Sequence, residues 1–290
     1  MSNHHQKLLA TGRLNSDHLF AAVVYAAATV VAAVFVWVVL DLLLHGFAKL
    51  SWEFVTELPR SSGRKGGISS ILVSTALILL ITLLVAVPLA FAAAVWLSEF
   101  TRRGGKLAVY VRLSLDVLAG VPSIVFGLFG SAFFSVFMGL GYSIAAGGLT
   151  LACMVLPILT RTTEAGLSAV PDGWRQGAAA LGLSKFTTLW QILLPAAAPS
   201  IAAGLMLGIG RAMAETAALI FTSGYVDRMP ESIFDSGRAL AVHIFDLSMN
   251  IPGGDKAAYG SALILILAIG LINALALKLS DKLLAKRIVA

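Results

Sequence analysis

The chain has 290 residues, of which 58% are hydrophobic and only 12% are charged. A soluble domain of this size carries about twice that fraction of charge, so the composition excludes an ordinary soluble protein. Several apolar runs are long enough to cross a bilayer as helices, which predicts an all-α, polytopic membrane protein. The net charge of +6 is explained by Lys and Arg near membrane ends and requires no nucleic-acid partner.

Six apolar runs predict six transmembrane helices. A polar N-terminal segment, 1–18, comes first, and residues 19–290 form one transmembrane domain. Pro88 and Pro122 are expected to kink or loosen the second and third spans. The predicted spans are 19–44, 68–97, 107–137, a fourth run that follows Gly141 and ends near 159, 195–221 and 259–279.

The distribution of Lys and Arg predicts the orientation of the chain. With the N-terminus inside, the inward-facing segments hold clearly more Lys and Arg than the outward-facing ones, as the positive-inside bias requires. Both termini and the segment 161–195 are therefore expected in the cytoplasm, and 222–258 becomes the longest outer loop. The expected location is the cytoplasmic (inner) membrane, in contact with lipid.

The segment 161–195 is the most polar long stretch between two apolar ones. Pro171 and Asp172 end one helix and begin another, Gly182 breaks the chain again, and Ser184 offers a cap to the next helix. The pattern predicts two short helices, the first with a flat alanine face at 178–180. The segment is interpreted either as a docking surface for another protein or as an ordinary interfacial linker.

Two charged residues, Arg211 and Glu215, fall within the fifth predicted span. Their spacing of four residues would place them on one helix face, with Arg211 roughly 20–25 Å from Pro195 along the helix. Because each charge would cost about 2.5–3.5 kcal/mol on a lipid-facing helix, both should face protein or water. They are interpreted either as a structural ion pair or, with Thr216, as a translocation site in which Arg211 binds an anion.

The sequence contains no pattern typical of an enzyme active site. The five histidines have no metal-ligand spacing with acids or with the single cysteine, Cys153. The glycine-rich segment 63–67 lacks the spacing of a nucleotide-binding loop. A catalytic site, a metal site and an ATPase site are therefore not expected.

The segment 161–195 resembles the coupling motif of ABC importer permeases. In that motif Glu-Ala-Ala is followed after three residues by Gly, and after nine more by Ile-x-Leu-Pro. The spacing is the same here, but Gln176 replaces the Glu and Gly177 the first Ala. The missing carboxylate argues against a charge-mediated step and leaves docking by shape. The matching positions, implied to contact an ATPase, are Gln176, Gly177, Ala178, Ala179, Gly182, Ile192, Leu194 and Pro195.

A wider resemblance covers roughly residues 54–290. The runs GVPSIVFGLFG at 120–130, RAMAETAALIFT at 211–222 and ALAVHIFDLS at 239–248 are similar to those of the permease A family of phosphate-specific (Pst) ABC importers. That family often has Gly-Glu-Thr-Ala-Pro where this chain has Ala-Glu-Thr-Ala-Ala at 214–218.

The resemblance implies a type I ABC importer permease (MetI-like) fold and a phosphate transport function. It also implies three partners: a homologous second permease, an ATPase dimer that binds ATP and Mg, and an external phosphate-binding protein. This chain itself would be a transport subunit with no cofactor of its own.

Two alternatives remain open from the sequence. A permease for another oxyanion, sulfate or molybdate, fits the same residues. An ion-coupled secondary transporter using Arg211 and Glu215 is a different class; it predicts related repeats with interrupted helices, and no repeat is visible.

Overall fold

The computed structural model describes residues 2–101 and 105–288, with side chains for 18–101 and 105–278. Five helical segments in this part are long and apolar enough to span a membrane. The predicted fourth span continues past residue 159 to Ser168, and the predicted fifth span begins before Pro195, at Lys185. The five segments are His18–Phe47, Ser69–Phe100, Ile144–Ser168, Lys185–Met213 and Asp255–Lys278.

Each of these segments contains one long α-helix or forms part of one. Helix α1 is Ser2–Phe47, α3 is Ser69–Val95, α6 is Ile144–Ser168, α9 is Leu194–Met213 and α12 is Asp255–Ile288. A π-helical turn, Trp96–Phe100, follows α3. Between α1 and α3 lie a short helix, α2 (Trp52–Thr56), and an antiparallel hairpin of β1 (Pro59–Arg60) and β2 (Lys65–Gly66).

The prediction of one continuous third span, 107–137, is wrong. Helix α4 (Lys106–Gly120) and helix α5 (Ser123–Gly130), which continues into a π-helical turn, meet at an angle of 101°. Pro122 has no N–H and disfavours helical geometry in the residue before it, and Val121 is extended at φ −68°, ψ 131°. The proline therefore breaks the helix rather than loosening it, and the described residues contain the six predicted spans when this bent pair counts as one.

The connections place the two ends of the bundle. Tyr259, near the start of α12, donates a hydrogen bond to Asp41, near the end of α1 (3.0 Å). At the same end the backbone N–H of Ile144, the first residue of α6, donates to the carbonyl of Asp235 (2.9 Å). We call this the hairpin end, because Arg64 of the β1–β2 hairpin contacts Pro252 there. The segment after α6 lies at the opposite end, which we call the coupling end.

The core is built where α6 packs against α3 and α9. Glycines allow this close approach: a Cβ at Gly148 would lie 2.7 Å from Ile81 of α3, and one at Gly208 would lie 2.8 Å from Val155 of α6. Gly204 is likewise covered by Thr162 of α6. The Gly204-x-x-x-Gly208 spacing therefore forms a helix–helix contact of the kind small residues make in membranes.

A buried polar cluster fixes the connection 222–258. Its helix α11 (Leu240–Met249) is largely buried, and His243 is 0% exposed. Arg238 pairs with Asp246 (3.1 Å) and lies 3.4 Å from Nδ1 of His243. Burial, and secondarily the charge of Arg238, lower the pKa of His243 to about 4, against the effect of Asp246.

This cluster predicts a loss of stability in mild acid. An unfolded chain binds a proton at His243 as the pH falls below about 6.5, whereas the folded chain does so only near pH 4. The free energy of unfolding should therefore fall through this window, by about 2 kcal/mol at about pH 5 from this group alone. Thermal unfolding of the detergent-solubilised protein should show a smaller drop in Tm between neutral and acid pH in His243→Gln. An unchanged drop in that variant would contradict the prediction.

Candidate functional site

The segment 161–195 forms the two predicted short helices at the coupling end. Its first part belongs to α6, which runs to Ser168; helix α7 is Asp172–Ala180 and helix α8 is Lys185–Thr188. Gly182 adopts φ +72°, which favours glycine. The hydroxyl of Ser184 accepts a hydrogen bond from the backbone N–H of Thr187 (3.1 Å). The local breaks and the cap are therefore as predicted.

Helix α7 leaves most of the first half of the motif uncovered. Gln176, Gly177 and Ala179 are exposed, whereas Ala178 faces inward and is 3% exposed. A Cβ at Gly177 would meet nothing within 4 Å, so the packing of this chain does not require glycine there. The exposed surface of α7 is small and smooth, which suits close contact with another protein.

The second half of the motif lies in a different environment. Ile192 belongs to a π-helical turn, Leu189–Leu193, that leads into α9. Ile192 and Leu194 pack on a cluster that includes Val95 and Leu167. Pro195 is the second residue of α9 and directly follows the π-helical turn within the spanning helix Lys185–Met213. These three residues position α9 against α3 and α6 at the coupling end.

Arg175 of α7 makes a pair that sequence reasoning missed. Its Nε and Nη2 donate to the two carboxylate oxygens of Glu99 (3.0 and 2.7 Å). It also donates to the carbonyls of Leu167 and Val170, both at 2.8 Å. The hydrogen bonds with Glu99 raise the pKa of Arg175, although burial acts in the opposite direction. The available signal was a glutamate at the end of the apolar run 68–97, and nothing in the sequence identified its partner.

A second ionic network joins α4 to α6 at the same end. Glu164, whose side chain is 8% exposed, accepts from Arg112 (2.6 Å) and from Arg161 (3.1 Å). Arg161 also pairs with Asp116 of α4 (3.0 Å). One buried carboxylate thus pairs with two arginines, Asp116 balances the second positive charge, and α4 is attached to α6 by these ion pairs.

The expected placement of Arg211 and Glu215 on one helix face is wrong. Helix α9 ends at Met213, and α10 (Ala217–Ile220) begins after a break. Glu215 lies in this break, where its carboxylate accepts a hydrogen bond from the backbone N–H of Ala218 (3.2 Å). The carboxylate takes the place of a helical carbonyl as the acceptor for an N–H at the start of α10. This hydrogen bond allows the apolar run to contain the interruption. Thr216 occupies the break beside it.

Arg211 lies apart from Glu215 and is exposed. In the part of the chain with described side chains, it has no hydrogen bond or ion pair. Its depth follows from its neighbours: Gly208, one turn earlier, packs on Val155 and Leu159 in the middle of α6. An unpaired guanidinium therefore stands about halfway along the bundle.

The fold is shared with solved structures of ABC transporters. The chain is similar to the MetNI methionine ABC transporter in inward-facing conformations, with a TM-score of 0.55, 18% identity, and coverage of 75% of this chain and 94% of that chain. It is also similar to a bacterial ABC transporter involved in import of the acidic polysaccharide alginate, with a TM-score of 0.56, 12% identity, and coverage of 77% and 80%.

Residues 86–289 match the family described as "Binding-protein-dependent transport system inner membrane component". The chain belongs to this family. Among its relatives is "Probable ABC transporter permease protein YqgI" of Bacillus subtilis, 32% identical with 89% of this chain and 92% of that protein covered. Two others are "Phosphate transport system permease protein PstA 2" of Mycobacterium bovis, 31% identical (74% and 70% covered), and PstA of Pasteurella multocida, 34% identical (64% and 66%). Membership implies an ATPase and a binding protein as partners and a transport role rather than an enzymatic one.

The second ionic network predicts unequal effects of removing its two acids. Glu164→Gln should leave two arginines without their shared buried carboxylate and cost about 3 kcal/mol. Asp116→Asn, at a side chain that is 53% exposed, should cost at most about 1 kcal/mol. Thermal unfolding in detergent measures both. Equal losses of Tm would contradict the assignment of Glu164 as the centre of the network.

Proposed function

We propose that this chain is a translocation subunit of an ATP-driven importer of inorganic phosphate. The observation that carries the proposal is Arg211, an exposed guanidinium without a partner halfway along the bundle. Support for phosphate comes from the relatives named as phosphate transport permeases, which are 31–34% identical. ATP is hydrolysed by separate subunits, and this chain needs no cofactor of its own.

The physical argument starts from the cost of an unpaired cation in the membrane. A charged side chain at the centre of a lipid-facing helix costs about 2.5–3.5 kcal/mol, so Arg211 belongs in a path that holds water or an anion. The planar guanidinium matches the oxygens of a phosphate with two parallel hydrogen bonds. Glu215 does not orient Arg211; it stabilises the start of α10 and, with Thr216, forms the adjacent break in the path.

The assembly is proposed to contain a second, homologous permease, an ATPase dimer and an external phosphate-binding protein. The exposed face of α7 docks into the ATPase by shape, through Gln176, Gly177, Ala179 and Gly182. The docking places the coupling end in the cytoplasm, in agreement with the positive-inside bias. Helix α1 ends and helix α12 begins at the hairpin end. Their other ends therefore point to the coupling end, and both termini are then cytoplasmic.

Two other substrates and one other class of transporter are alternatives to phosphate import. Sulfate or molybdate would also fit a guanidinium, and competition by these anions distinguishes them from phosphate. The ion-coupled secondary transporter is disfavoured, because the chain belongs to a binding-protein-dependent family and that class gives no role to α7.

Substitutions of Arg211 test the anion site. Arg211→Gln should lower phosphate uptake by at least about tenfold, because a charge-assisted hydrogen bond is lost, while the complex still assembles. Arg211→Lys should be intermediate, since an ammonium keeps the charge without the fork. Arg228→Gln, at an exposed cation of the outer connection, is the matched control and should transport normally. Recovery of uptake in the double variant Arg211→Gln, Glu215→Gln would instead show a structural pair and reject the site.

A bulky residue on α7 tests the docking. Gly177→Trp adds a side chain where this chain leaves open space, so the fold and membrane abundance should not change. Co-purification of the ATPase should be lost, because a closely fitted contact cannot accept an indole. Gly270→Trp, at another open position on α12, is the control and should retain the ATPase. Normal co-purification with Gly177→Trp would reject docking through this face.

A further inference from the structure

Helix α7 is attached to the bundle by very little apolar packing. It buries one side chain, Ala178. Clefts lie beside it, one of about 240 Å³ bordered by Ala179 and Leu183 and one of about 610 Å³ bordered by Ser168 and Arg112. Glu99 and Arg175 line both clefts. The pair therefore forms a polar bridge between the two clefts.

The same guanidinium joins three elements of the fold. Arg175 belongs to α7, Glu99 belongs to the π-helical turn that ends the span beginning with α3, and the carbonyl of Leu167 lies in the last turn of α6. All of its contacts with Glu99 and with the carbonyls of Leu167 and Val170 lie between 2.7 and 3.0 Å. Arg175 thus also satisfies carbonyls that the end of a helix leaves without partners.

We propose that Arg175 is the positioning residue that makes α7 and the inner ends of α3 and α6 move as one body. The proposal rests on the docking of α7 into the ATPase, described above. A displacement of α7 by the ATPase reaches the transmembrane helices through this side chain, because the apolar contacts of α7 are too few to transmit it. Position 176 of the coupling segment holds the uncharged Gln176, whereas the residue before it, Arg175, forms an ion pair with Glu99 of the same chain.

Arginine is required by the geometry. Four short hydrogen bonds leave the guanidinium in different directions, two to the carboxylate of Glu99 and two to carbonyls, and each of its nitrogens takes part. A fifth, longer one reaches the carboxylate of Asp172 on the same helix (3.4 Å). A lysine carries three donors on a single atom and cannot reproduce this fork. Arg175→Gln removes the charge and most of the donors, whereas Glu99→Gln removes the negative charge and one of the two acceptor oxygens and leaves the carbonyl contacts of Arg175 in place.

The test uses the complete transporter in proteoliposomes and measures phosphate transported per ATP hydrolysed. In a Cys153→Ala background, Ala179→Cys reports docking by crosslinking to the ATPase. With Arg175→Gln, we expect the crosslink to form as before and transport per ATP to fall by about tenfold. Glu99→Gln should give a smaller loss, Arg175→Lys an intermediate one, and Arg228→Gln no loss.

The outcomes separate this proposal from the one on which it rests. An unchanged ratio of transport to hydrolysis in Arg175→Gln, with the crosslink intact, would overturn the positioning role and leave the docking standing. Absence of the Ala179→Cys crosslink without any other substitution would overturn the docking itself. If Arg175→Gln does not assemble, Glu99→Gln decides: a normal ratio in that variant would overturn the positioning role.

Discussion

The fold depends on where a helix can be interrupted inside a membrane. Every backbone N–H or C=O freed by a break costs several kcal/mol unless another group satisfies it. The two breaks in this chain meet that requirement locally. At 213–217 the carboxylate of Glu215 accepts from Ala218. At 120–123 Pro122 has no N–H to satisfy, and its carbonyl accepts from Val125. The helices that follow the two breaks, α5 and α10, both pack on α6.

The charged side chains at the coupling end and those in the middle of the bundle have different surroundings. At the coupling end the arginines within reach of α6 are paired, and Glu164 alone serves two of them. Breaking such a buried arrangement costs about 3–5 kcal/mol, against at most about 1 kcal/mol for an exposed pair. Stability therefore explains these pairs without any transport role. Arg211 lacks that explanation, because no described side chain pairs with its guanidinium, and this difference is what separates a proposed anion site from a structural pair.

The parts of the site with local signals were predictable from the sequence. Pro171, Gly182 and Ser184 act on their own neighbourhood, so α7 and α8 were found with their breaks. The interruption after Met213 was not, because the apolar run continues through it and a side-chain cap leaves no trace in hydrophobicity. The pair of Glu99 with Arg175 joins residues far apart in sequence, and no local pattern reports such a contact. The angle at Pro122 was anticipated only as a loosening, since its size is set by what α5 packs against.

The same geometry suggests how motion at the coupling end is connected to the middle of the membrane. Helices α6 and α9 pack closely at Gly204 and Gly208, where side chains of α6 fill the space that a Cβ would occupy. A shift of α6 at the coupling end is therefore passed to α9 rather than absorbed by side-chain rearrangement, because close-packed interfaces transmit strain. Helix α9 ends at Met213, five residues beyond Gly208 and two beyond Arg211. The proposed anion site therefore lies in the last turn of α9, between the close contact with α6 and the break at 214–216.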